Sequence, residues 1–444
     1  MKRRFLALLL AVTVVFTLAG CGVKTEENGA SSNGVQTYSF GDENRDALRV
    51  LLDFGHGVSG GLTQPLYEFS QQLEKHYGIT DVSFEVLPAS GAERETIVAR
   101  TKVEIMAGEG PDVCIVQPSG ARSIEDENGN HNPLFPYPQK VMEAGIFLPL
   151  DDYMENHSKL TDWSKQHQTV LAAGRNAEGQ QIIPLTYTFP VLCYPQSTVQ
   201  MDKPDTLLSW NDIIEDPESI TLYGGLIDCG LATEYGPGSY PNLDFALGRL
   251  ADFEQEELLF TEEELLQRVQ EINALPLLEE PSNEGDWFDD VLGYARTNRD
   301  YPLTMLPLYS DDGGITASIG SFAVVNRNTH HPQDAYAVID VLMSEYMQQK
   351  SSLYTTVLLS FEGIPLNMEL CQTAKPIGFE TILEENSAEL NDLRGQITSA
   401  NYHDDLSMDL QELLMNSRTP DAYGQTVEQM VQETYELMQR KVRE

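Results

Sequence analysis

Side chains able to hold a ligand crowd together at three places: Glu262-Glu263-Glu264, His330-His331, and Glu125-Asp126-Glu127-Asn128-Gly129. None has the spacing its chemistry needs. Successive helix residues point in different directions, so three adjacent glutamates make the acidic first turn of a helix, not a metal cage. Adjacent histidines do not share a helix face, as zinc-binding pairs at i, i+4 do. The acidic run lacks the D-x-[DN]-x-[DN]-G spacing and trailing Glu of a calcium loop, so it reads as a solvated surface loop. The glycine-rich stretch Gly55–Gly61 has neither G-x-G-x-x-G nor G-x-x-x-x-G-K-[ST]. There is no G-x-S-x-G elbow and no H-E-x-x-H. A glycosidase acid and nucleophile stays open among 69 acidic residues, although the eight evenly spaced βα units of a barrel are missing. The expectation is a chain without catalysis, metal or cofactor.

Binding asks for other residues: aromatic platforms and a few directional polar groups in a cleft. In open α/β sheets a ligand sits outside the carboxyl ends of strands. That rule selects Phe54 and His56 after one strand, and Gln117 and Ser119 after another. A crossover segment adds Tyr187 and Phe189, and the second half of the chain adds Trp287, Tyr309 and Asp311. Each aromatic has a plainer alternative as a packing residue.

The elements that must position these residues follow from periodicity. Leu48–Phe54 is an apolar strand. Leu66, Phe69, Leu73 and Tyr77 share a helix face that stops at Gly78. Val82, Phe84 and Val86 alternate as a second strand. Ser90 and Glu93 give a capping pattern for a helix carrying Val98, Thr101 and Ile105, closed near Gly108 and Pro111. Val113–Val116 is a short buried strand. This β-α-β-α-β series predicts a parallel sheet with right-handed crossovers. Further on, Ser209 caps a helix in which Trp210 packs, and Thr261 and Glu264 open one bearing Leu265, Val269 and Ile272. Ile315–Val325 is a strand, and Ala335, Val338, Ile339, Leu342, Met343 and Tyr346 form one helical stripe. Thr426 caps the last helix, with Val427, Met430, Thr434 and Met438 inward.

Several segments carry a resemblance. Ala107-Gly108-x-Gly110-Pro111-Asp112-Val113 at a helix-to-strand corner is similar to that corner in the extracellular solute-binding proteins of ABC importers, of the maltose-binding-protein-like, sugar-binding family. Ala144–Met154 resembles the family's Gly-x-Leu-x-Pro-Leu-Asp-Asp-Tyr segment, and Gln181–Tyr194 its crossover. Asn326-x-Asn328 with Pro332-x-Asp334-Ala335, Leu342-Met343-Ser344, Gly363-Ile364-Pro365 and Tyr423-Gly424-Gln425-Thr426 resemble later family segments. Tyr194-Pro195-Gln196-Ser197 departs from the usual Tyr-Asn-Lys-Asp. The likeness spans 45–440 and is weakest at 218–312. It implies an α/β, periplasmic-binding-protein-like fold: two lobes with discontinuous sheets joined by a hinge of crossover segments. Lobe 1 would be 45–186 plus 323–364, and lobe 2 would be 187–322 plus 365–444.

The N-terminus sets the compartment. Lys2, Arg3 and Arg4 precede the apolar run Phe5–Leu18, which is short for a membrane span and flanked like a signal peptide. It ends in Leu18-Ala19-Gly20-Cys21, which resembles a lipobox and implies lipid attachment at Cys21 after removal of 1–20. Residues 21–44, rich in Gly, Ser, Asn and Glu, read as a flexible tether. With 28 basic against 69 acidic residues the net charge is −41, which argues against nucleic acid as a partner. Of the four other cysteines, Cys114 and Cys193 lie in apolar runs, where a free thiol behaves as a small hydrophobe. The resemblance implies a monomeric, lipid-anchored receptor at the outer face of the cell membrane, passing a small solute, a carbohydrate, to ABC permease subunits. A secreted carbohydrate-active enzyme and a ligand-sensing surface lipoprotein remain as alternatives.

Overall fold

A computed structural model describes residues 35–41, 47–54, 61–117, 132–189, 191–196, 209–215, 246–274, 288–289, 302–307, 309–311, 313–354, 364–370 and 384–443. Strand β2 (Leu48–Asp53) is buried at every position but Arg49. It pairs in parallel with β3 (Val82–Val86) on one edge and β4 (Val113–Val116) on the other. Helices α1 (Thr63–Tyr77) and α2 (Gly91–Met106) make the crossovers. The α1 stripe buries Leu66, Phe69 and Leu73, and Gly78 closes the helix at φ 74°, a conformation that suits a residue without Cβ. Ser90 does stand at the N-cap of α2, but its side chain accepts no capping hydrogen bond, so the expected S-x-x-E box is not formed.

The tether expectation needs a correction. Residues Gln36–Phe40 form strand β1, paired antiparallel with β3 from Gln36 opposite Val86 to Phe40 opposite Val82. The Phe40 ring meets Phe84 edge-on at 6.0 Å and Tyr67 at 5.9 Å. Two alternating aromatics, Tyr38 and Phe40, supply the apolar side, a signal that the polar composition around them hides.

The chain then adds α3 (Pro138–Glu143), α4 (Asp151–Asn156) and α5 (Gln168–Ala172), and enters β5 (Ile182–Thr188), buried throughout. Next come β6 (Val191–Pro195), α6 (Trp210–Glu215), α7 (Glu262–Ala274) and β7 (Leu303–Pro307). Strand β6 pairs antiparallel with β7 and with Phe288–Asp289 in a small separate sheet. The longest strand, β8 (Ile315–Val325), returns to the large sheet. Its stripe helix is not continuous. Helix α8 (Pro332–Leu342) ends at Met343, and Ser344 caps a new helix, α9 (Glu345–Lys350), by accepting from the Met347 amide. Tyr346 therefore turns outward and is exposed.

The C-terminal part comprises β9 (Ile364–Pro365), α10 (Glu384–Arg394), β10 (Ile397–Tyr402), α11 (Asp405–Ser417) and α12 (Val427–Arg443). Met430 and Met438 of α12 are buried, whereas Val427 and Thr434 are half-buried. The large sheet has eight strands among the described residues, in the order β1-β3-β2-β4-β8-β5-β9, with β10 also on β8.

Candidate functional site

The position of the site follows from how three strands meet on β8. Along one edge, β5 covers Ser318–Val324. The opposite edge is shared: β4 runs antiparallel along Phe322–Val325, and β10 runs parallel along Ile315–Ile319. Strands β4 and β10 therefore point at each other and end head to head, Val116 opposite Phe322 and Tyr402 opposite Ile319. Strand β5 also finishes here, with Tyr187 beside Ile319 on the other edge. Three carboxyl ends converge on Ile319–Phe322, which is where an open α/β sheet places its ligand.

Two buried polar atoms at this point lack partners. Gln117, one residue past β4, is 1% exposed, and its amide oxygen accepts no hydrogen bond among the described residues. Tyr402, 1% exposed, has an equally unpartnered hydroxyl. Its ring packs edge-on against Phe322 at 5.4 Å, and burial raises its pKa well above that of free tyrosine. An unmade hydrogen bond in a buried place costs about 1–3 kcal/mol, so a ligand that supplies the missing partners is favoured. Sequence reasoning selected Gln117 and missed Tyr402. The rule that chose Gln117 applies equally to the end of β10, but no reading identified Ile397–Tyr402 as a strand.

A rigid frame surrounds the convergence. Asp53, at the end of β2, is fully buried and takes both Arg94 guanidinium nitrogens, at 2.8 and 2.9 Å, plus the Leu134 amide at 3.3 Å. The Asp53 carbonyl accepts the Gln117 amide at 3.0 Å, so the ion pair fixes the backbone that presents Gln117. Phe54 and Phe189 are both buried beside these strand ends. The Tyr187 hydroxyl accepts from Arg394 Nε at 2.6 Å, and its ring lies edge-on to His167 at 5.3 Å. With the ring fully buried, no face of Tyr187 is open for stacking.

Tyr309 and Asp311 are placed elsewhere, before the amino end of β8. Asp311 pairs with Arg268 at 2.7 Å, and Arg268 also holds Glu271, which accepts from the Trp210 indole. Burial raises the Asp311 carboxyl while Arg268 pulls it down. Burial likewise pushes Tyr309 up to about 12. The structure thus brings together Phe54, Gln117, Tyr187 and Phe189, and separates Tyr309 and Asp311 from them. His56, Ser119, Trp287 and the proposed lipid-bearing Cys21 lie outside the described residues. Among the described residues no group of three or more His, Cys, Asp and Glu is placed to hold a metal ion, and no helix is long and apolar enough to cross a membrane.

No family model matches the chain, and no curated protein matches it. Solved structures do. A periplasmic oligogalacturonide-binding protein from Yersinia enterocolitica superposes with a TM-score of 0.53 at 14% identity, over 89% of this chain and 99% of its own. A cyclic α-maltosyl-1,6-maltose-binding protein from Arthrobacter globiformis gives 0.50 at 12% identity, over 89% and 99%. A de novo designed cysteine esterase gives 0.51 at 12% identity, over 90% and 99%. Cys114 is buried within β4, and burial raises its thiol well above the usual value. The mixed sheet with its discontinuous strands, and these likenesses over nearly the whole chain, establish one conclusion: the chain has a periplasmic-binding-protein-like α/β fold.

Proposed function

We propose that this chain is a lipid-anchored extracytoplasmic receptor that captures a sugar or oligosaccharide and passes it to an ABC importer. The observation that carries the proposal is the convergence of β4, β5 and β10 on Ile319–Phe322, with Gln117 and Tyr402 left unpartnered there. An amide oxygen and a phenol are the groups a sugar hydroxyl pairs with. Proteins that share the fold are described as binding oligogalacturonide and a cyclic maltosyl-maltose. The lobe boundaries proposed from the sequence, at 186/187 and 322/323, fall inside β5 and β8. Strands that run unbroken between two bodies serve as hinge, and closure about them would bury the solute. The anchor rests on Leu18-Ala19-Gly20-Cys21.

A thermal-shift screen of mono- and oligosaccharides tests the reading, since a ligand that binds only the folded state raises the melting temperature. Calorimetry on the hit should give a one-to-one complex that Gln117→Leu weakens about tenfold or more, the scale of one buried hydrogen bond. No hit across the panel, or product formation from a hit, would turn the assignment away from a sugar receptor. For the anchor, Cys21→Ser should abolish incorporation of labelled fatty acid and release the protein from membranes; continued labelling would refute it.

A further inference from the structure

A cavity of about 250 Å³, with neither Gln117 nor Tyr402 in its lining, lies between α3 and α5 on one side and β10 with Arg249 and Phe253 on the other. Its floor is apolar: Met142 and Phe253 are both buried. Its rim carries opposite charges that do not meet. Glu143 is half-buried and accepts a single side-chain hydrogen bond, from Asn176 Nδ2 at 3.1 Å. Arg249 is exposed and acts on Glu143 only at longer range. The other guanidinium of the lining, Arg175, is already held by Asp151 at 2.7 Å. Thr169 and Thr398 add hydroxyls.

We propose that this cavity binds a small zwitterion, an α-amino acid with an apolar side chain, its ammonium on Glu143 and its carboxylate on Arg249. The volume lies below the ~300–1,000 Å³ of pockets for drug-sized ligands, so the occupant is small. An unengaged guanidinium and a carboxylate with a free oxygen over one apolar floor match the two ends and the side chain of such a molecule. Burial raises the Glu143 carboxyl, with Glu254 and Asp252 adding to the effect, and an ammonium group removes that penalty by restoring a counter-charge. The inference stands apart from the sugar proposal, because none of these residues belongs to the strand-end convergence.

The test is calorimetry of the full chain with L-leucine and L-methionine, beside N-acetyl-leucine and leucinamide, which lack the ammonium and the carboxylate. Expected is saturable binding of the two amino acids and none of the blocked analogues. Glu143→Gln and Arg249→Gln should each weaken binding about tenfold or more, as the loss of one charge-assisted hydrogen bond does. Ala172→Trp, at an exposed position of the lining, should close the cavity and abolish binding with the melting temperature unchanged. Absence of saturable amino-acid binding, or binding that survives all three substitutions in folded protein, overturns the proposal.

Discussion

At Tyr402 a hydroxyl is buried without a partner, and that makes its removal informative. Tyr402→Phe deletes the unsatisfied group and keeps the ring against Phe322. The ligand-free protein should therefore be unchanged or more stable, by up to about 1–3 kcal/mol, while solute affinity falls. Urea unfolding without ligand, with calorimetry beside it, separates the two; lost stability with unaltered affinity would make the hydroxyl structural. Arg94 behaves in the opposite way. Its guanidinium and the Asp53 carboxylate are both fully buried, so Arg94→Met strands a charge and should cost about 3–5 kcal/mol, read from the same unfolding curves. Gln117 was legible in the sequence because it follows a strand whose apolar run is visible locally. Tyr402 was not, because what places it is the pairing of β10 with β8, more than eighty positions away in sequence, as in Tyr402 opposite Ile319.

Among the elements, the polar signals at helix starts differ in what they deliver. Thr261 accepts from the Glu264 amide at 3.2 Å, and the Glu264 carboxylate accepts from the Thr261 amide at 2.7 Å and the Thr261 hydroxyl at 2.8 Å; these last two bonds hold that carboxyl below its usual value. Thr426 and Gln429 form the same reciprocal pair. Ser90 has the matching sequence and makes no such bond. Thr261→Ala should thus cost about 1 kcal/mol and Ser90→Ala much less, as a shift in denaturation midpoint. The motif was readable in all three places, but its geometry was readable in none. A second difference concerns Asp409 of α11, which meets Lys441 of α12 at 2.8 Å. Burial lifts its carboxyl to about 6, against the pull of Lys441 and with Asp405 and Glu412 pushing the same way as burial. A raised carboxyl stabilises the fold in its protonated form. That contribution is full below the unfolded value of ~3.9 and is lost as pH rises through the folded one. Relative to Asp409→Asn, the protein should lose stability between pH ~4 and ~6. A difference between the two that stays flat across this window would show that Lys441 offsets the burial.

For the whole molecule, the alternation of strands and helices from Leu48 to Val116 announced a parallel sheet, and β2, β3 and β4 form one. What that alternation cannot carry is the order in which distant strands join. The antiparallel β1 was hidden in a polar stretch, and the shared edge of β8 depends on chain segments far apart. That shared edge also frames the closing test. Strands β4 and β10 end head to head on β8, so a movement that brings their carboxyl ends together must bend β8 near Gly320, between Ile319 and Ser321. If the proposed lobes close on a solute about β5 and β8, the radius of gyration from small-angle scattering should fall on saturation. The decrease should follow the calorimetric binding curve and should be lost in a Gln117→Leu, Tyr402→Phe double variant at the same solute concentration. Gly320→Pro removes a backbone N–H and fixes φ within the strand. A variant that still folds and binds, but no longer contracts, would locate the hinge at that point. An unchanged radius for the unaltered protein at saturating solute would mean that the site fills without closure.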